Sequence, residues 1–212
     1  MLQYRAIYPQ TLELLKQLMN LEELKDFYLA GGTALALQIG HRISVDLDFF
    51  TQSDFFPVKL QHCIAKEVPI KSFSIEENTL ILSVIYPPKS QNVIKVDFLK
   101  FQYPLSNSLL NIDGLRLASV EDIIPMKLLA IANRGTKKDF YDLYFLLQTF
   151  SLEQMLNLFS IKFKTVNSFH LIKSLVFFED AELDPEPVLI KKVSWDKVKS
   201  HISKAVETYL NL

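Results

Sequence analysis

The chain has 212 residues, of which 49% are hydrophobic and 22% charged, with a formal net charge of −1. That length buries one substantial core or two modest ones, and the near-neutral charge excludes a global pull toward nucleic acid, so any such contact needs a local patch. Cys63 is the only cysteine, which excludes an internal disulfide, and residues 1–9 lack a signal-peptide core while no 18-residue apolar run occurs, so the expected setting is cytoplasmic with no membrane partner.

After Pro9, leucines 12, 15 and 18 recur every three residues and predict an opening helix from Pro9 to Met19. Phe27-Tyr28-Leu29-Ala30 is a short apolar run that ends at Gly31-Gly32, the signature of a buried strand stopped by a tight turn. Thr33 then opens Ala34 to Ile39, good helix formers closed by Gly40. Unpaired N–H groups at such a helix start, with glycines that let the backbone come close, favour an anion, and phosphate is the natural candidate.

From Ser44 to Thr51 the residues alternate as in a strand, with Val45, Leu47 and Phe49 on one side and Asp46, Asp48 and Phe50 on the other. Two neighbouring carboxylates repel, and a hard divalent cation relieves the repulsion. Magnesium suits them, because it takes few carboxylates and fills its other positions with water and phosphate oxygens. A lone Asp-x-Asp is also what a solvated strand edge carries. Joined to the Gly-Gly-Thr turn, it reads as a phosphate cradle facing a metal-binding pair.

A helix is expected over Val58 to Lys66, following Pro57. Three β-rich runs follow, Ile70 to Glu76, Leu80 to Tyr86 and Val93 to Leu99, and turn residues at 77–78 and 87–92 predict antiparallel neighbours. Asp97 stands inside the last run, where an acid is either functional or paired, or else an edge acid facing water. From Ser119 onward nearly everything reads as helix, with Ser119 as a cap and Glu121 and Asp122 at the positive end of the dipole. Pro125 should kink or restart that helix.

Lys127, beside Leu128 and Leu129, is either a snorkelling lysine or a site residue. On the next helix Lys138 precedes Asp142 by one turn, so Asp142 is either half of a surface ion pair or turned toward a site. Phe140, Leu143, Tyr144 and Leu147 form the core stripe. The acidic, proline-containing run 179–187 reads as a loop, and Trp195 among Lys191, Lys192, Lys197, Lys199 and Lys204 is either a core anchor or part of an RNA-facing patch.

Two blocks carry a family resemblance. Leu29-Ala30-Gly31-Gly32-Thr33-Ala34-Leu35 with His41-Arg42-x-Ser44-x-Asp46-Leu47-Asp48-Phe49-Phe50 resembles the first motif of the AbiEii-type nucleotidyltransferases, toxin members of the DNA polymerase beta superfamily. Lys127-Leu128-Leu129-Ala130, then Arg134-Gly135 and Lys137-Lys138-Asp139-Phe140-Tyr141-Asp142-Leu143-Tyr144, resembles the later lysine and Lys-Asp-x-x-Asp motifs. The blocks span residues 27–147 and leave the last third without a motif. The family's larger members carry a longer helical region than this chain has, which leaves the acceptor-binding surface unassigned.

The resemblance implies an α+β fold, a mixed β-sheet flanked by helices and followed by a C-terminal helical bundle. Residues 1–115 would form the nucleotidyltransferase-like domain and 116–212 a helical domain closing its cleft. It implies a two-ion magnesium site on Asp46, Asp48 and Asp97, with a nucleoside triphosphate as donor. Gly31, Gly32 and Thr33, including the Thr33 hydroxyl, would contact phosphates, and His41, Arg42 and Ser44 would line the same mouth. Lys127 would neutralise triphosphate charge, Lys138 would contact substrate, and Asp142 rather than Asp139 would belong to the active site. Transfer RNA ends are the acceptor associated with such enzymes, and an antitoxin their protein partner. The same donor site would also serve adenylate transfer to a protein hydroxyl, and a catalytically inactive binding module is the non-enzyme alternative.

Overall fold

The computed structural model of the chain describes residues 1–164 and 168–211. It divides into two compact units, Met1–Ser119 and Val120–Leu212.

The first unit is built on a seven-stranded mixed sheet. Its elements are α1 (Pro9–Met19), β1 (Tyr28–Leu29), α2 (Gly31–Ile39), β2 (Leu47–Thr51), α3 (Pro57–Glu67), β3 (Ile70–Glu76), β4 (Thr79–Ile85), β5 (Val93–Lys100), β6 (Leu110–Ile112) and β7 (Leu115–Leu117). The strand order is β3-β4-β5-β2-β1-β7-β6. β2 runs parallel to β5 and β1 parallel to β7, while the remaining pairs are antiparallel. α1 starts where Pro9 supplies a preset φ at a position that needs no N–H, and its Leu14, Leu15 and Leu18 are buried.

Alternation makes one face of the central strands a core. Leu47 and Phe49 of β2, Leu80, Leu82 and Val84 of β4, and Ile94, Val96 and Phe98 of β5 are all buried. Phe49 and Phe98 stack with ring centroids 5.0 Å apart, and Phe27 meets Phe98 edge-on at 5.6 Å. The intervening residues of those strands, Asp48 and Asp97 among them, project from the other face. Arg116 lies half inside this unit, donating to the main-chain carbonyls of Phe27, Met19 and Leu24 at 2.9, 3.2 and 2.8 Å.

Two features depart from expectation. The strand begins at Leu47 rather than Ser44, because Ser44 is drawn away to the N-terminal segment, donating its N–H to the Ala6 carbonyl at 2.8 Å and bridging Ile7. β6 and β7 are three-residue strands whose sequence shows no run long enough to read.

The second unit contains α4 (Val120–Asn133), α5 (Lys137–Leu146), α6 (Leu152–Lys162), α7 (Ser168–Ser174), α8 (Glu179–Glu182) and α9 (Trp195–Leu210). Pro125 neither ends nor restarts α4; its ring is buried in the apolar face and the helix runs through it. Ser151 and Gln154 form a reciprocal capping box on α6, and Ser194 accepts from the Lys197 N–H at the start of α9. Trp195 packs on Phe140, Tyr141 and Phe178 at 5.6–5.9 Å between centroids. These contacts make it the anchor of α9 on the core, one of the two readings expected.

The acidic run is not a plain loop. Its first residues form α8, and Asp184 Oδ2 accepts the Lys137 N–H at 2.9 Å, capping α5 from 47 residues away, while Thr136 makes no side-chain cap. Tyr141 donates its hydroxyl to Glu186 at 2.5 Å, and burial followed by that carboxylate pushes the phenol pKa up. Among the described residues no helix is long and apolar enough to cross a membrane.

Candidate active site

In the first unit, β2 and β5 place Asp48 directly opposite Asp97 in parallel register. Neighbouring strands lie about 4.8 Å apart, and register partners share a face, so the two carboxylates stand side by side. Asp46 precedes the strand by one residue and is half-buried. Asp97 is mostly buried: Lys95 donates to its Oδ2 at 2.5 Å, while its Oδ1 is buried with no hydrogen-bond partner.

A buried polar atom without a partner carries a penalty of about 1–3 kcal/mol, and more where the group is charged, as a carboxylate is. A hard cation shared with Asp48 is the chemistry that removes it. Among the described residues no three His, Cys, Asp or Glu side chains converge on one point as a ready-made metal cage. Two carboxylates suffice for magnesium, since water and phosphate complete its shell. The donor set therefore fits that ion.

The glycine turn lies against the same carboxylate. Gly31 has φ +64°, and a Cβ placed on it would collide with Asp48 Oδ2, so only glycine permits this approach. The Ala30 N–H donates to the Asp48 carbonyl at 3.0 Å, locking β1 and the start of α2 to β2. α2 begins at Gly31, two residues earlier than expected, and no side chain caps it. Its first N–H groups are those of Gly31, Gly32 and Thr33. Gly40, at φ +62°, closes the helix in the left-handed conformation.

The side chains expected around the mouth are largely interior. Thr33 is fully buried, and its hydroxyl meets Ser44 Oγ at 2.9 Å and donates to the Asp46 carbonyl. It clamps α2 to the segment that carries Asp46 and is not presented to phosphate. Ser44 belongs to that clamp. His41 and Arg42 are also buried, Arg42 donating to the Ile43 carbonyl at 3.2 Å. Thr33 and Ser44 hold the start of α2 and the aspartate segment together from behind.

In the second unit, Lys127 is buried and reaches Asp139 Oδ1 at 3.0 Å and Asp142 Oδ2 at 2.6 Å, both carboxylates being fully buried. Thr136 donates to Asp139 Oδ2 at 2.5 Å, and the exposed Arg134 approaches the same oxygen at 3.4 Å. Burial raises the Asp139 pKa and Asp142 adds to that, but Lys127, Thr136 and Arg134 outweigh them, so the carboxyl titrates below its ordinary range. Asp142 thus has Lys127 as a buried ion-pair partner and is not a surface acid. Lys127 is not snorkelling to solvent; it is the cation between two acids. A second buried pair, Lys162 with Asp122 at 2.8 Å, ties α6 to α4 and has no signal in the sequence beyond two charges in apolar helices.

A mixed sheet that presents paired aspartates beside a glycine-started helix, with a helical unit after it, is a nucleotidyltransferase-like fold. JHP933 from Helicobacter pylori shares it with a TM-score of 0.60 at 20% identity, over 95% of this chain and 92% of that one. So does MenT4, a nucleotidyltransferase toxin from Mycobacterium tuberculosis H37Rv, with a TM-score of 0.62 at 17% identity, over 97% and 86%.

Residues 13–211 match the model of the nucleotidyl transferase AbiEii toxins of type IV toxin–antitoxin systems, and the chain belongs to that family. An uncharacterised protein of Aquifex aeolicus (strain VF5) is 37% identical over 222 residues, covering 97% of this chain and 98% of its own.

Proposed function

We propose that this chain transfers a nucleoside monophosphate from a nucleoside triphosphate to a hydroxyl of an RNA acceptor, transfer RNA being the expected class. We further propose that it acts in the cytoplasm as the toxin half of a toxin–antitoxin or phage-defence pair, with a cognate antitoxin as its protein partner. Family membership supports the reaction class. The observation that carries the site is the in-register pairing of Asp48 with Asp97 beside Gly31.

Each residue has a defined task in this reading. Asp48 and Asp97 would hold magnesium, and Asp46, in the residue before the strand, adds negative charge to the approach to it. When bound, the ion supplies charge stabilisation to the attacking and leaving oxygens of an in-line displacement at the α-phosphorus. The main-chain N–H groups of Gly31, Gly32 and Thr33 take phosphate oxygens at the positive end of α2. Thr33, Ser44, His41 and Arg42 are positioning residues. Lys127 holds Asp139 and Asp142 in place within the second unit, and Lys138 is assigned to the substrate anion.

Incubating the protein with each of four α-phosphate-labelled triphosphates, total RNA and lysate protein tests this reading. Label should enter RNA with one or more donors, and Asp48→Asn should abolish it while unfolding at the same temperature. Label in protein would replace the RNA acceptor with a side-chain hydroxyl. No label in either, with no magnesium-triphosphate thermal stabilisation, would make the chain a binding module.

A further inference from the structure

We propose that Lys95 is a resident counter-ion of the metal-binding carboxylates: its ammonium occupies Asp97 Oδ2 in the metal-free protein, is displaced when a divalent cation binds, and thereby sets the affinity of the site for the ion. This inference rests on the metal role proposed for Asp48 and Asp97.

Three observations carry it. Lys95 lies two residues before Asp97 on β5, so both project from the same face, and its Nζ sits 2.5 Å from Asp97 Oδ2. The pair is lopsided: the Lys95 side chain is 50% exposed and that of Asp97 13%, so the lysine can swing into solvent while the acid stays packed. The ammonium also leaves the job unfinished, because Asp97 Oδ1 stays buried with no hydrogen-bond partner. Across the strand pair Lys95 faces Ser83 of β4, so no other charge on that neighbour holds it.

A single-headed ammonium at the rim satisfies the outer oxygen alone. A divalent cation between Asp97 and its register partner Asp48 takes the inner one as well. The two cations repel at such a separation, so an ion taking both oxygens drives the ammonium off. Exposed ammonium–carboxylate pairs are weak and readily exchanged. Lys95 therefore holds Asp97 in place while the site waits, and lowers the affinity until a competing cation is abundant.

The test is calorimetric titration of the intact chain with Mn²⁺ alone, in the absence of triphosphate, for the wild type, Lys95→Met, Lys95→Gln, Lys100→Met and Asp48→Asn. Lys100 supplies the control. It stands on the same strand but on the opposite face, pairs with Asp54 at 2.5 Å, and its loss removes the same unit of charge. Both Lys95 variants should tighten Mn²⁺ binding about tenfold, Lys100→Met by less than about twofold, and Asp48→Asn should abolish it. Equal binding by the wild type and both Lys95 variants, or equal tightening in Lys100→Met, overturns the inference and leaves the metal site standing. Binding unaffected by Asp48→Asn, or no binding by any form, overturns the metal site and the counter-ion role together.

Discussion

The two units treat buried acid in opposite ways. In the first, Asp97 keeps a buried oxygen without a partner and is balanced only by a half-exposed lysine at the rim. In the second, Asp139 and Asp142 are fully buried and closed off by Lys127, with Thr136 and Arg134 completing Asp139. An acid left incompletely satisfied keeps an oxygen for a further ligand, while an acid paired with cations and hydroxyls has its charge met within the fold. Both kinds sit in motifs that resemble the same family, so resemblance alone does not separate them.

Removing the cation between two buried acids is the most severe way to test that contrast. Lys127→Met should destabilise the protein by about 3–5 kcal/mol in denaturant unfolding, since it removes the cation that bridges two fully buried carboxylates. A loss under about 1 kcal/mol would mean that the cluster is not structural. Gly31→Ala should come next, at about 1–3 kcal/mol with loss of transfer, because the new methyl group meets the Asp48 carboxylate at a strained φ. Normal stability together with normal activity would show that the turn does not press on Asp48.

Smaller effects sharpen the comparison. Thr33→Val removes a buried hydroxyl that bonds Ser44 and the Asp46 carbonyl, and should lower stability by about 1–2 kcal/mol with transfer reduced but present. Complete loss of transfer at unchanged stability would instead assign that hydroxyl to the substrate.

The acid limb of stability separates the units more gently. The folded Asp139 pKa lies below its unfolded value, so its contribution is present above the ordinary aspartate pKa of about 3.9 and is lost as pH falls through the lower folded value. Unfolding measured from pH 6 down to pH 2.5 should show a shallower acid loss in Asp139→Asn than in the wild type. An unchanged slope would remove Asp139 from the linkage.

What could be read from the sequence follows the range of the interactions involved. α1 was legible to its ends because Pro9 and the leucine spacing are local signals, and β3, β4 and β5 were legible because alternation and turn residues lie between neighbours in the chain. The paired aspartates were legible as candidates, but their register was not, since β2 and β5 are parallel partners joined through three intervening elements. Burial was harder still. Thr33, His41, Arg42 and Ser44 look like a polar mouth in sequence but are buried, and for Ser44 the reason is a long-range pairing with the N-terminal segment that no local signal announces. Lys95 carried a usable signal that was passed over: a lysine two residues from an acid on a strand shares its face.

The most direct measurement is a crystal of the protein soaked with Mn²⁺ and a non-hydrolysable triphosphate, read by anomalous scattering. The account predicts a peak within bonding distance of oxygens from both Asp48 and Asp97, with phosphate oxygens completing the shell. Active protein whose only manganese peaks lie elsewhere, or whose triphosphate sits away from the Gly31 turn, would contradict it.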